Sequence, residues 1–536
     1  MLFDLSAANE RLWNTVQSQL WDFYASVQSK HARLAVVLPK HRTDQLAPEF
    51  LPFRRHIEPP DRIDVIIRHL RFGGLDTRIC HPLPSSLLAF VETKPPMREL
   101  ARLAVRIVEM RATEREGGDF AALCGQAVAE QTDRGPEVAG LVPHVRRGPQ
   151  RALLITAALL HGARVEAVHT ATAALLSVAK SPGEVRPLLE HPGLDERLEK
   201  IDAASDGDSR VRFERRGFAR AVRRHFWTTR PDLREPLRVW VSQIVDLSEL
   251  TDADRERLVR RFTELCLSTE DTEGLIHLVK DWTDAPAETD RTRATNRWRA
   301  AAQLLEQSVS SEACGGKFRH QIYEWSTQRQ LSDSLRHVLA EVCEKVMAVR
   351  HPEAALVRLH HLARRERSPG VARESLLRYV TNDPEDLRLH RRLMYRLTVS
   401  SSDIYRLPDT DLFLELTAPT KLPKPFLRSS PTRSWLTTGW AAAFDSAERE
   451  HWTACAESWI SAADATEDPA ISNHLFDVLV AAAGTRYAIL SRLFASARER
   501  TRPALSTLLL RKINEAQTLR MSRDSTMARH QEAAPS

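Results

Sequence analysis

The chain has 536 residues, 42% of them hydrophobic and 28% charged, close to the averages of soluble globular domains, which excludes wholesale disorder and a multispanning membrane protein. At roughly 100–200 residues per domain it should contain about three to five compact units. Its 77 basic and 71 acidic side chains leave a formal net charge of +6, a small excess for a broad nucleic-acid footprint.

In chain order, residues 1–80 are the only part that reads as α/β. A helical pattern through Leu12, Val16, Leu20, Phe23 and Val27 leads to RLAVVLP (33–39), a short apolar strand ended by Pro39. RRHIE (54–58) reads as a second strand, followed after Pro59-Pro60 by a helix with Ile63, Ile66, Ile67 and Leu70 on one face. Strand, helix, strand, helix is the order of a parallel α/β unit.

From residue 98 the pattern turns helical. Leu100, Leu103, Ile107 and Met110 form a stripe within an 81–140 helical segment. In 141–235, residues 149–180 read as two or three short helices broken at His161-Gly162, and RVRF (210–213) as a strand leading into the helix GFARAVRRHFW.

Residues 236–416 carry explicit helix starts. Thr251 with Asp254 resembles a capping box, Ser332 precedes Leu335, Val338, Leu339 and Val342, and Asp383-Pro384 sets an N-cap before an N1 proline. The starts are irregularly spaced, which predicts an irregular, solenoid-like helical array without a fixed repeat. Residues 283–295 and the Pro/Ser-rich 417–434 read as linkers. Residues 435–516 form a last helical block in which Trp435, Trp440, Trp452 and Trp459 anchor a core, a partner groove being the alternative. A disordered tail is expected over 517–536. The fold class is mostly α.

The longest apolar stretch, around Ala152–Ala179, is interrupted by His161, Arg164, Glu166 and His169 and falls short of the ~20 residues that span a bilayer. MLFDLSAANERLW lacks the features of a secretory signal, so the expected location is the cytoplasm. The cysteines (Cys80, Cys124, Cys266, Cys314, Cys343, Cys455) show no CxxC pair and read as reduced, mostly buried thiols rather than zinc ligands.

No catalytic centre emerges. CGGKF (314–318) fails as a phosphate loop, because Ser311 replaces the first glycine and Phe318 the magnesium-binding hydroxyl. His161, His169, His360 and His361 read as capped or surface imidazoles. No cofactor or metal is expected.

One cluster stands apart. In RFERRGFARAVRRHFW (212–227), Arg212, Arg215, Arg216, Arg220, Arg223 and Arg224 accompany Phe213, Phe218, Phe226 and Trp227. Guanidinium groups beside aromatics suit phosphates and stacked bases; an amphipathic helix with a buried aromatic face and solvated arginines is the other reading.

The order of elements resembles a known class. MLFDLS ending in Asp4, RLAVVLP, and RRHIEP followed by DRIDVIIRHL resemble the lower half of an AAA-type ATPase core. The helices of 98–132 then stand where its lid would be. GPQRALLITAALLHGARVEAVHTATAALL followed by RVRFERRGFARAVRRHFW is similar to the winged-helix domain of the STAND class, signal-transduction ATPases with numerous domains, in which a helical sensor region follows. The phosphate-binding loop has no counterpart here, so only Asp4 carries over, as a metal-facing acid. The resemblance implies a non-enzymatic regulatory and interaction scaffold with a protein partner and no membrane. The alternative is a nucleic-acid-binding regulator that uses the arginines of 212–227.

Overall fold

Abundant alanine, leucine and arginine with little glycine favour helix, and helix takes 76% of the chain against 3% strand, so the fold is mostly α. The computed structural model describes residues 2–532 apart from 6–9, 39–45, 47, 56, 59, 76–82, 114–118, 132–133, 181–191, 285–290, 367–369, 383–386, 400–405 and 447–448. The chain divides into two compact units, Met1–Gln131 and Thr132–Ser536.

The first unit begins with β1 (Leu2–Asp4), α1 (Glu10–Ser29) and β2 (Ala35–Val37). The two strands pair in parallel, Leu2 opposite Ala35 and Asp4 opposite Val37, as a β–α–β crossover requires. Trp13 of α1 is buried with Leu5 and Leu46.

The strand expected at 54–58 does not form. Pro48–Phe53 is a 3-10 helix containing Pro52, and Arg55 donates back to the carbonyls of Pro52 and Arg54. Ile57, the only strongly apolar side chain of RRHIE, is 85% exposed, so an extended run there would bury nothing. His56 lies outside the described residues.

A second core in this unit joins α2 (Arg62–Phe72), α3 (Ser85–Glu92), α4 (Met97–Thr113) and α5 (Phe120–Gln131). Asp61 caps α2, its Oδ1 accepting from the amides of Ile63 and Asp64. Ile66, Leu70, Leu100, Leu103 and Ile107 are fully buried.

The second unit opens with α6 (Gly135–Leu141), α7 (Gly148–Leu159), α8 (Val165–Val178) and α9 (Leu194–Glu199). β3 (Ala203–Ser205) and β4 (Val211–Phe213) form an antiparallel hairpin, and Arg164 just before α8 bridges to Arg210. α10 (Phe218–Thr229), α11 (Arg234–Ile244), α12 (Asp252–Ser268), α13 (Thr272–Asp284), α14 (Arg291–Val309), α15 (Gly315–Thr327) and α16 (Asp333–Val342) follow. α16 continues through a π-helical stretch, Cys343–Met347, into α17 (Ala348–Arg350). The rest comprises α18 (Pro352–Ala363), α19 (Val371–Thr381), α20 (Arg388–Thr398), α21 (Arg406–Leu416), α22 (Lys424–Arg428), α23 (Ser430–Ser446), α24 (Arg449–Ala465), α25 (Pro469–Ala483), α26 (Tyr487–Arg500) and α27 (Pro503–Glu532).

Both described helix-start signals act as read. Thr251 Oγ1 accepts from the Asp254 amide while Asp254 Oδ2 accepts from the Thr251 amide, and Ser332 accepts from the Leu335 amide. Asp383-Pro384 lies outside the described residues.

Residues 417–434 are folded rather than a linker. Pro425 and Pro431 sit in the first turns of α22 and α23, where a missing N–H costs nothing and the fixed φ favours helix. Phe426, Leu427 and Thr432 are buried, and the Thr417 carbonyl accepts from Trp459 Nε1 at 2.8 Å. Of the other expected linker, residues 285–290 lie outside the described residues and the rest belongs to α13 and α14. The expected tail is helical to Glu532, since neither glycine nor proline interrupts it after Pro503.

One buried core runs from Val138 to Ile513. Trp440 and Trp459 meet edge to face at 5.2 Å within it, the core role expected of these tryptophans. Among the described residues, no helix is long and apolar enough to cross a membrane.

Candidate functional site

The arginine-rich segment is positioned by its aromatics. Gly217, at φ 78, turns the chain from the hairpin into α10, a left-handed conformation that side-chain-bearing residues rarely adopt. Phe218, Val222 and Phe226 then fall one turn apart and are buried with Trp227. Phe213 packs on Phe218 at 5.4 Å. Trp227 meets Phe262 edge to face at 5.6 Å and donates its Nε1–H to Thr269. All four aromatics are therefore committed to the core, and none faces solvent as a stacking platform.

The six arginines separate into three roles. Arg212 pairs with Asp206 at 2.7 Å, and Arg215 with Glu137 at 2.8 Å. Backbone donation from Arg210 and the Arg212 guanidinium hold the Asp206 carboxyl below its ordinary range. Arg223 donates to the carbonyl of Ala158 at 2.8 Å. Arg216, Arg220 and Arg224 are exposed and have no ion-pair partner among the described residues.

α12 supplies a second set that sequence reading passed over. Arg257, Arg260, Arg261 and Glu264 follow i, i+3, i+4, i+7 spacing, which places them along one side of the helix. Arg261 donates to the carbonyls of Leu159 at 2.7 Å and His161 at 3.0 Å. With Arg223, it therefore satisfies the last carbonyls of α7, the end where a helix carries partial negative charge. Arg257 is engaged by Asp254. The RERLVRR pattern after the capping box was the available signal.

These cations crowd one another. Burial pushes Arg223 down to about 10, with Arg220 and Arg260 adding to the shift and Glu264 opposing it. Burial likewise lowers Arg261 to about 9, reinforced by Arg223, Arg257 and Arg260. His161, stacked on Phe213 at 6.0 Å, falls to about 4, first through burial and then through Arg261, Arg223, Arg212 and Arg257. Both guanidinium groups stay charged at neutral pH while His161 stays neutral. The outcome is a positive face on α10 and α12, in which Glu264 opposes the charges of Arg223 and Arg261 and forms no ion pair with a described residue.

The remaining sequence candidates resolve differently. His360 is fully buried rather than at the surface, bonded to Asp409, and His361 is pushed down to about 3 by burial and neighbouring cations. His169 is exposed. In CGGKF the loop amides are spent internally, Gly315 donating to Ser311 and Lys317 to Cys314. A Cβ on Gly315 would lie 2.5 Å from the Val309 carbonyl oxygen, so the glycine serves close packing there. Asp4 occupies the end of β1 opposite Val37. Among the described residues, no group of three or more His, Cys, Asp or Glu side chains is placed to hold a metal. No protein-family model, curated protein or solved structure matches the chain.

Proposed function

We propose that this chain is a non-enzymatic regulatory protein of the cytoplasm that works by binding a protein partner, equivalent to the regulatory and sensor portion of a STAND-type ATPase. The observation that carries this reading is the order α7, bridging residue Arg164, α8, α9, β3, β4, α10. Helix, short bridge, two helices and a hairpin is the order of a winged-helix-like domain, here sharing its core with the helices that follow. From α12 onward each helix packs on helices close to it in sequence, such as α12 on α14, α14 on α16, and α23 on α25. That neighbour-on-neighbour packing fits a solenoid-like array presenting binding surfaces.

The nucleic-acid alternative is less well supported. In a helix–turn–helix reader the second helix enters the major groove. Its counterpart here is α9, whose LDERLE carries Asp195, Glu196 and Glu199 and would repel phosphates. Calorimetry with Mg-ATP and a gel-shift series on duplex DNA test the proposal together. The expected result is no nucleotide heat and no retention at low salt. Tight ATP binding, or retention that weakens steeply with salt, would overturn it.

A further inference from the structure

We infer that the face formed by α10 and α12 is the docking site for a short acidic segment of a partner protein, a run of Asp and Glu side chains. This rests on the regulatory reading above and names the chemistry of the partner. Arg220 and Arg224 stand one turn apart on α10, and Arg260 of α12 lies, like Arg220, close enough to Arg223 for its charge to bear on it; all three are exposed without an ion-pair partner among the described residues. Beneath them, Arg223 and Arg261 are locked onto α7 carbonyls. The underlying charge is thus rigid and costs no side-chain ordering when a ligand arrives.

Several arginines elsewhere in the second unit are matched by a carboxylate from another segment: Arg297 by Asp246, Arg378 by Glu344, Arg373 by Glu415 and Arg500 by Glu457. On the α10–α12 face Arg220, Arg224 and Arg260 have no such match among the described residues and outnumber Glu264, so further carboxylates can be supplied from outside, and planar guanidinium groups suit them bidentately.

A peptide fits better than a polynucleotide for two reasons. The patch is bounded: Asp206, Glu137 and Asp202 already neutralise the Arg212 and Arg215 end, so a long polyanion continuing that way would meet carboxylates. The aromatics beside the arginines are also buried, so bases would find nothing to stack on.

The test is fluorescence anisotropy of the full chain with a labelled hexaglutamate peptide, against a labelled oligothymidylate of equal charge and a hexalysine control. Binding of hexaglutamate in preference to the oligonucleotide is expected, weakening as salt rises. R220E/R224E/R260E should lower affinity by at least about tenfold, because charge reversal turns each attraction into repulsion. The neutral R220Q/R224Q/R260Q should also weaken it, and R329E, at an exposed arginine beyond α15, should leave it unchanged; circular dichroism confirms the fold of each. Absence of hexaglutamate binding at low salt, or binding indifferent to these variants, would overturn the inference. If the chain then also ignores duplex DNA and ATP, the regulatory reading stands without this face. Preference for the oligonucleotide would remove both.

Discussion

Nε2 of His360 donates to Oδ1 of Asp409 at 2.9 Å, joining α18 to α21 inside the core. Arg396 donates its Nε–H to Nδ1 of the same ring at 3.2 Å. A guanidinium only donates and a carboxylate only accepts, so the Arg396 contact calls for a bare Nδ1 and the Asp409 contact for a proton on Nε2, while Arg364 Nη2 also approaches that nitrogen at 3.2 Å. Burial favours this neutral form and lowers the His360 pKa. Arg364 completes the network, bonding Oδ2 of Asp409 at 2.6 Å.

Removing the Asp409 carboxylate strands the Arg364 charge. Asp409→Ala should cost about 3–5 kcal/mol of stability, the usual penalty for breaking a buried pair on one side. Urea unfolding measures this, and adding Arg364→Met should recover much of the loss. A single-variant cost below about 1 kcal/mol would show that the pair does not hold α18 to α21.

His390 predicts an acid limit. It is buried against Phe426 at 4.6 Å, its Nε2 has no partner among the described residues, and burial lowers its pKa to about 4. Unfolding restores an ordinary pKa near 6.5, so between these values the unfolded chain binds more protons. Stability is therefore intact above about 6.5 and falls as pH drops toward 4, by roughly 3 kcal/mol from this group. Thermal melts of His390→Phe should show a shallower loss between pH 6.5 and 4.5 than the parent.

Arg261 tests the cap on α7. Arg261→Met keeps the aliphatic stem but leaves the Leu159 and His161 carbonyls without their donor, which should cost about 1–3 kcal/mol. A chemical denaturation midpoint unchanged from the parent would mean that water satisfies those carbonyls instead.

Gly439 reports on the packing of α23. A Cβ there would run into the Phe413 ring, so Gly439→Ala forces α21 and α23 apart despite alanine's better helix propensity. About 1–3 kcal/mol of destabilisation is expected. The measurement is a melting curve together with trypsin sensitivity of 417–434, which should rise in the variant and stay low in the parent.

The buried thiols should be silent. Burial pushes Cys343 up to about 12 and Cys266 well above its usual value, which suppresses the reactive thiolate. Labelling with iodoacetamide at pH 8, mapped by mass spectrometry, should modify these two residues only after denaturant is added.

Periodicity and capping made most helices legible. The stripe of Leu100, Leu103 and Ile107, the Thr251 capping box and the short apolar strand of β2 all follow from local pattern. What escaped is non-local. The prolines of 417–434 look like linker residues until their positions within the first helical turns are known. RRHIE looks extended until nothing is found to cover Ile57. Half of the candidate site was visible, because Arg220 and Arg224 lie in an evident basic run. The α12 half was not, because the carbonyls that fix Arg261 lie about a hundred residues earlier and spacing carries no record of such partners.

The neighbour-on-neighbour packing from α12 to α27 bears on how the chain is made. During synthesis the amino end emerges first, and domains fold as the ribosome delivers them. α14 meets α16, α16 meets α19, α20 meets α23 and α25 meets α27, so each new helix finds its contacts on segments already in place or soon to follow. Loop closure is short at every step, and this half of the protein can assemble vectorially, with little apolar surface waiting on a distant stretch still inside the exit tunnel.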